Sequence, residues 1–138
     1  MPEGPEIRRE ARAIARAVAN RPLTLLDYRV PALARAAARL RGARVTGATS
    51  RGKALLVAFD AGLVQISHNQ LYGKWRVMPA RTLPGFETEH RRSIRVVIAT
   101  ADRAAVLLAA TTLELVDARD VVSHPLVARL GPDVLDRA

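Results

Sequence analysis

The chain opens on a run in which apolar residues recur at helical spacing. Between Glu6 and Ala19 the apolar positions are Ile7, Ala11, Ile14, Ala15 and Val18, and the arginines fall largely on the other faces. This period is that of an amphipathic α-helix, which the sequence Asn20-Arg21-Pro22 ends. The pattern therefore predicts an N-terminal helix that buries one face against the rest of the fold.

Beyond this helix the pattern changes to short apolar runs bounded by turn residues, which predicts strands. The predicted strands cover residues 23–30, 44–49, 54–59, 63–67, 74–78, 93–100, 104–110 and 111–116. A short Ala/Arg helix is predicted from Pro31 to Leu40, and a long exposed loop from Pro79 to Arg92. A last short helix is predicted at 125–130, with Ser123 as its N-cap. The expected fold is mainly β with helices: a two-sheet antiparallel β-sandwich of about eight strands, preceded by the N-terminal α-helix.

Composition narrows the class of partner. The chain has 138 residues, which favours one domain, and it carries 22 Lys and Arg against 13 Asp and Glu. A net charge of +9 favours a polyanionic partner, with nucleic acid first and an anionic membrane surface second. The absence of Cys excludes disulfides and Cys-based zinc sites, and His68, His90 and His124 lie too far apart in sequence to favour a metal site. No apolar run reaches membrane-spanning length and no signal-peptide pattern is present, so an intracellular, soluble protein is expected.

The first six residues, Met1-Pro2-Glu3-Gly4-Pro5-Glu6, carry candidate chemistry. Removal of Met1 would expose Pro2 as a secondary amine, which attacks carbonyl carbon and gives an iminium that serves as an electron sink. The carboxyl of Glu3 stands beside this amine and is a candidate proton donor. Glu6 complements the dipole of the helix that follows and orders the terminus. Taken alone, Pro2-Glu3 favours the simpler interpretation of a disordered terminus that merely starts a helix.

Two further stretches make the terminus informative. Arg51-Gly52-Lys53 precedes a buried strand, and the sequence from Ser67 to Gly73 reads Ser-His-Asn-Gln-Leu-Tyr-Gly. Together with the N-terminal hexapeptide, these motifs resemble the N-terminal catalytic domain of the formamidopyrimidine-DNA glycosylase/endonuclease VIII family, and the pattern is most similar to its endonuclease VIII branch. The tail from His124 to Asp133 fits the same family, so that the resemblance covers essentially the whole chain.

The resemblance implies a catalytic set. Members of this family flip a damaged nucleotide out of duplex DNA and act on it in a pocket. By resemblance, Pro2 is the nucleophile on the anomeric carbon of the sugar, Glu3 is the acid at the glycosylase step, and Lys53 is a phosphate partner or proton donor near the lesion. The implied activity is that of a bifunctional DNA glycosylase with AP lyase (β/δ-elimination) activity on oxidised bases. For Lys53 alone, an ordinary surface charge is the rival interpretation.

The resemblance also implies DNA contacts. Gln70, Leu71 and Tyr72 resemble the wedge that fills the gap left by the flipped nucleotide, and this wedge pattern favours oxidised pyrimidines over oxidised purines. Asn69, with His68, supports this loop or approaches phosphate. Arg129 matches a position that contacts phosphate, with a surface salt bridge as the rival interpretation.

The chain departs from the family pattern in two respects. Family members continue into a helix-two-turn-helix module and usually a Cys-bearing zinc finger, whereas this sequence ends at Ala138 without Cys. Zinc is therefore expected only in such a C-terminal part of full-length relatives, and no cofactor is expected in residues 1–138. Met1 is present in the sequence, and while it remains attached the Pro2 nitrogen is an amide. The expected protein is a bacterial, cytoplasmic, nucleoid-associated monomer whose partner is double-stranded DNA with damaged bases or abasic sites.

Two other functions remain open at this stage. A DNA-binding module without chemistry would keep the basic surface and the wedge loop but form no covalent adduct. A small-molecule enzyme with an N-terminal proline base, as in tautomerases, would need neither the Arg51-Gly52-Lys53 turn nor the 70–72 wedge. Covalent trapping on DNA separates the main hypothesis from both.

Overall fold

The amphipathic first helix and the short apolar strands assemble into a helix-capped sandwich in the computed structural model, which describes residues 4–68, 73–110 and 112–123. The strands are Leu25–Tyr28 (β1), Val45–Arg51 (β2), Ala54–Phe59 (β3), Leu63–His68 (β4), Lys74–Pro79 (β5), Ile94–Ala99 (β6), Arg103–Leu108 (β7) and Thr112–Asp117 (β8). The α-helices are Gly4–Val18 (α1), Ala34–Ala37 (α2) and Leu83–His90 (α3), and short 3₁₀ turns cover Pro31–Leu33, Ala38–Leu40, Ala80–Thr82 and Ala118–Asp120.

The eight strands form two antiparallel sheets of four. One sheet has the order β2-β3-β4-β8 and the other the order β1-β6-β7-β5. The main apolar core lies between these sheets and α1, and a smaller cluster lies on the outer face of each sheet. The expectation of a two-sheet antiparallel sandwich behind an N-terminal helix is confirmed. The strand bounds differ from the predicted ones by a few residues, because the ladder pairing and not the apolar run decides where a strand ends.

Helix α1 is anchored through its apolar stripe, as its period predicts. Ile7, Ala11, Ile14 and Val18 are buried in the main core, whereas the arginines of the helix are exposed. The helix packs chiefly on β2 and also meets β3, β5 and β7. Its last turn is tied to the start of β2, since the Asn20 backbone N–H donates to the Val45 carbonyl at 2.7 Å.

The prediction of an exposed loop at 79–92 was wrong. Most of this stretch is helical, with a 3₁₀ turn followed by α3, and Leu83 is buried against the outer face of the second sheet. Pro84 lies in the first turn of α3, where a missing backbone N–H costs nothing and the fixed φ of proline suits a helix. The proline that argued for a loop is therefore a helix-start residue, and Phe86 supplies the second apolar contact.

Two boundary predictions are also revised or left outside the structure. Arg51 was assigned to a turn but is the last residue of β2, so the turn itself contains only Gly52 and Lys53. The helix predicted at 125–130 lies outside the described residues. Ser123, its predicted N-cap, donates through its hydroxyl to the Asp120 carbonyl at 3.1 Å.

One buried polar pair joins the sheets. The Tyr28 hydroxyl on β1 donates to Gln65 Oε1 on β4 at 2.6 Å, and Gln65 is fully buried. Among the described residues, Gln65 Nε2 has no hydrogen-bond partner. Burial raises the pKa of the Tyr28 phenol above its ordinary value, since the phenolate would lose its hydration.

The raised pKa of Tyr28 predicts alkaline destabilisation. In the unfolded chain the phenol ionises at about pH 10, whereas in the folded chain it keeps its proton above that pH. The stabilisation is thus fully present below about pH 10 and is lost above it, by about 1.4 kcal/mol per pH unit. Urea unfolding between pH 8 and 11 is expected to show a steeper decline for the wild type than for Tyr28→Phe. Equal pH slopes for the two proteins would contradict this assignment.

Candidate functional site

The sequence motifs meet at one end of the sandwich. In the first sheet Arg51 pairs with Ala54, Ala54 pairs with His68, and His68 pairs with Thr112, so these residues form a row across the strand ends. In the second sheet the corresponding row consists of Lys74, Leu108 and Ile94. Residues 69–73 and 109–111 connect the two rows directly, so both rows lie at the same end of the molecule. We call this end of the sandwich the site end.

Lys53 is presented by a tight hairpin turn at the site end. Arg51 and Ala54 are paired, which leaves Gly52 and Lys53 as the two turn residues. Gly52 has a φ of +59°, whereas the φ of Lys53 is negative, as in a type II′ hairpin turn. The Lys53 side chain is exposed. The turn geometry thus depends on Gly52 and presents the Lys53 ammonium group to solvent at the site end.

Arg51 is buried at the base of the same turn. Its side chain is buried, and its Nη1 donates to the Ser50 carbonyl at 3.0 Å and to the Thr49 hydroxyl at 3.2 Å. A guanidinium group is positively charged in proteins and offers only hydrogen-bond donors. The turn therefore carries one exposed and one buried positive charge, and the sequence motif alone did not reveal which residue was which.

The orientation of α1 brings its first turn toward the site end. The last turn of the helix lies beside the start of β2, and Arg16 and Ala17 border Val77 and Arg103 at the far end of the second sheet. The helix has 15 residues and a length of about 22 Å, and β2 has 7 residues and a length of about 23 Å. Because the helix packs chiefly on β2, it extends from the start of this strand toward the end that carries Arg51.

A hydrogen bond between the two sheets joins the strands that precede and follow segment 69–72. Trp75 Nε1 on β5 donates to the Ser67 hydroxyl on β4 at 3.4 Å, and both residues are buried. Ser67 in turn donates to the Leu55 carbonyl on β3 at 3.5 Å. The indole also packs in the core cluster that holds α1. This contact links the strands on either side of the segment to the helix that carries the N-terminus, and sequence inspection missed it.

The structure describes only part of the predicted site. Lys53 is at the site end, and Glu6 is exposed in the first turn of α1, where its charge favours the helix dipole. Pro2, Glu3, Asn69, Gln70, Leu71, Tyr72 and Arg129 lie outside the described residues. The structure describes the neighbouring residues in the chain: Gly4 follows Pro2 and Glu3, and His68 and Gly73 flank segment 69–72.

Metal ligands do not cluster in the described ranges. Within residues 4–68, 73–110 and 112–123, no group of three or more His, Asp or Glu side chains is placed to hold a metal ion. In the same ranges no helix is both long enough and apolar enough to cross a membrane.

The fold is shared with solved structures of a DNA glycosylase. Lactococcus lactis Fpg (MutM), solved with DNA containing N7-benzyl-Fapy-dG, superposes with a TM-score of 0.76 at 20% identity, over 95% of this chain and 49% of that one. The same protein bound to AP-site DNA superposes with a TM-score of 0.72 at 19% identity, over 95% of this chain and 50% of that one. This likeness establishes the architecture of a glycosylase N-terminal domain.

Sequence comparison makes the assignment specific. The model of the formamidopyrimidine-DNA glycosylase N-terminal domain matches residues 1–123, and the chain belongs to this family. It is 46% identical over 136 residues to Endonuclease 8 of Klebsiella pneumoniae and 43% identical over 136 residues to Endonuclease 8 of Escherichia coli. Each match covers 99% of this chain and 50% of the relative, so the chain spans about half the length of the curated relatives it matches.

Proposed function

We propose that residues 1–138 are the N-terminal catalytic domain of a bacterial base-excision-repair DNA glycosylase with AP lyase activity on oxidised bases, in particular oxidised pyrimidines. The observation that carries this proposal is the convergence at the site end of the first turn of α1, the Lys53 turn and the two strands that flank segment 69–72. The identity to Endonuclease 8 supports the same function. The monomer is the proposed working unit.

The chemistry starts from the Pro2 amine, freed by removal of Met1. Pro2 stands two residues before Gly4, the first residue of α1, in the sequence. The amine attacks the anomeric carbon of the sugar, and the base leaves with a proton supplied by Glu3. The sugar ring then opens: O4′ leaves C1′ and takes the proton that the Pro2 nitrogen loses, which gives the open-chain iminium. The iminium acidifies the neighbouring C2′ hydrogen, whose loss expels the 3′ phosphate, and a second elimination expels the 5′ phosphate. Lys53 holds a phosphate beside the lesion, where an exposed ammonium favours the polyanion.

The partner is double-stranded DNA with a damaged base or an abasic site. Segment 69–72 is the proposed wedge: Leu71 and Tyr72 replace the lost stacking, and Gln70 hydrogen-bonds the orphaned base. Asn69 supports this segment, and Arg129 contacts phosphate. The contact between Trp75 and Ser67 supports this assignment, because it joins the two strands that precede and follow the proposed wedge in the chain.

The proposed reaction needs only groups that the chain itself supplies, namely an amine, a carboxyl and an ammonium group. Zinc belongs, in this proposal, to a C-terminal part of full-length relatives, together with the helix-two-turn-helix module. The proposed location is the bacterial cytoplasm, in association with the nucleoid, in keeping with the net charge of +9.

Borohydride trapping tests the proposal. The chain, with its N-terminus verified by mass spectrometry, is mixed with a duplex that contains one abasic site and is then reduced. A covalent adduct that maps to Pro2 is the expected result. Binding to the duplex without an adduct, at low salt and high DNA concentration, would replace this function by that of a DNA-binding module.

Gly52 provides a local test of the Lys53 turn. Gly52→Ala is expected to lower stability by about 1 kcal/mol, since an L residue is strained at a φ of +59°, and to reduce trapping by roughly tenfold to 100-fold as Lys53 moves. Gly62→Ala is the matched control, because Gly62 has a φ of +78° and lies in the turn at the other end of β3. Equal trapping by the two variants, at comparable stability, would show that the Gly52 turn does not position Lys53 for the reaction.

A further inference from the structure

The turn between α3 and β6 lies at the site end, on the side of the second sheet. Ile94, the first residue of β6, pairs with Leu108, which in turn pairs with Lys74, the first residue of β5. The Ala109 backbone N–H donates to the Ser93 carbonyl at 2.8 Å and fixes the turn to the connection between the sheets. Because neighbouring strands are about 4.8 Å apart, the turn is about 10 Å from the strand that follows segment 69–72.

The helix in front of this turn is held by packing on the second sheet and by one ion pair. Its apolar face, including Phe86, packs on the second sheet, and Glu87 forms an ion pair with Arg29 on the segment after β1. The His90 ring stacks on the Phe86 ring with centroids 4.1 Å apart, and its Nδ1 lies 3.2 Å from the Phe86 carbonyl. The end of α3 is therefore placed by packing, and so are the residues that follow it.

The two residues that follow α3 are arginines with exposed side chains, Arg91 and Arg92. A helix C-terminus would ordinarily repel phosphate through its free carbonyl groups. Here Arg95 Nη1 donates to the Arg92 carbonyl at 3.1 Å and offsets that partial charge with a guanidinium. Of the carboxylates on α3, Glu87 is engaged with Arg29, and Glu89 is exposed and within 3.9 Å of His90 Nε2.

Lys74 extends this surface toward the wedge segment. Its side chain is exposed at the start of β5, in the same row as Ile94. Lys74 and the two arginines thus offer three exposed cations at the site end, on the side of the second sheet. A distance of about 10 Å corresponds to about three base pairs along a duplex, so a duplex seated at the site end would bring one stretch of backbone within reach of Lys74 and of the arginines.

We propose that Arg91, Arg92 and Lys74 form a second phosphate-binding surface that grips the DNA backbone beside the damaged nucleotide. The surface rests on the proposed function, since it needs a duplex at the site end. Its contacts are to phosphate and are independent of base sequence, because the side chains are exposed cations without a fixed donor array. The surface adds affinity and orientation, while the chemistry stays with the N-terminus.

The salt dependence of binding tests this surface. Affinity for a duplex with one tetrahydrofuran abasic analogue is measured between 50 and 200 mM salt for the wild type and for Arg91→Gln/Arg92→Gln. The loss of two phosphate contacts is expected to make the slope of log K against log salt shallower by about 1.8, with the largest affinity loss at the lowest salt. Adding Lys74→Gln is expected to bring the total change to about 2.7.

The control has the same change of charge at the opposite end. Arg41→Gln/Arg44→Gln removes two exposed arginines next to Val45, which begins β2 far from the site end, and is expected to keep the wild-type slope. Equal slopes of log K against log salt for the wild type and Arg91→Gln/Arg92→Gln would contradict the proposed surface. An equal change of slope in the two double variants would contradict it as well. Borohydride trapping of the wild type, done in parallel, separates the two proposals: an adduct with unchanged slopes refutes only the surface, and changed slopes without an adduct refute only the lyase function.

Discussion

Blocking the Pro2 nitrogen is expected to reduce the borohydride-trapped adduct with abasic DNA by at least roughly 10³-fold, as for loss of a covalent nucleophile. A bulky residue inserted between Met1 and Pro2 prevents removal of Met1 and turns the Pro2 nitrogen into an amide. An amide has no basic lone pair and cannot form an iminium. Because α1 begins at Gly4 and is held by its buried stripe, this insertion leaves the packed helix unchanged.

A graded variant separates the amine from its ring. Pro2→Gly keeps a free terminal amine after removal of Met1, but the amine is primary, so an adduct is expected at a reduced rate. Gel shift of each variant on uncleaved duplex serves as the binding control. If the inserted chain traps DNA as well as the wild type does, the nucleophile is another amine, and Lys53, the exposed lysine at the site end, becomes the first candidate.

The elements that the sequence predicted correctly are those whose cause is local. The period of α1 appears in consecutive turns of one helix, and Gly62, one of the turn residues that bound the predicted strands, has a positive φ in the turn between β3 and β4. Each of these signals lies within a few residues of the structure it determines. The motifs are also local in sequence, so they indicated which residues form a site but not how these residues are arranged in space.

The features that were missed depend on partners distant in sequence. Helix α3 forms because Leu83 finds an apolar sheet face, and neither Pro84 nor the nearby charges reveal that face. The contact between Trp75 and Ser67 crosses between sheets, although a lone tryptophan two residues after Gly73 was a signal that the sequence did contain.

The anchoring of α1 gives the second large prediction. Ile14 is fully buried in the main core, and Ile14→Ala is expected to lower the free energy of unfolding by about 2 to 5 kcal/mol, through lost transfer free energy and the cavity that remains. Ile14→Val removes one methylene and is expected to cost about 0.5 to 1.5 kcal/mol. Trp75 is the sole tryptophan and lies in the same cluster, so its emission follows urea unfolding directly.

Arg12→Ala is the matched control, because Arg12 is exposed on the same helix and alanine favours a helix; its stability is expected to stay within about 0.5 kcal/mol of the wild type. If α1 is one cooperative unit with the sheets, trapping by Ile14→Ala and the emission of Trp75 decline at the same urea concentration. If trapping declines at a lower urea concentration than the emission of Trp75, the helix detaches before the sandwich unfolds. Such a separation would contradict the view that the buried stripe of α1 positions the N-terminus.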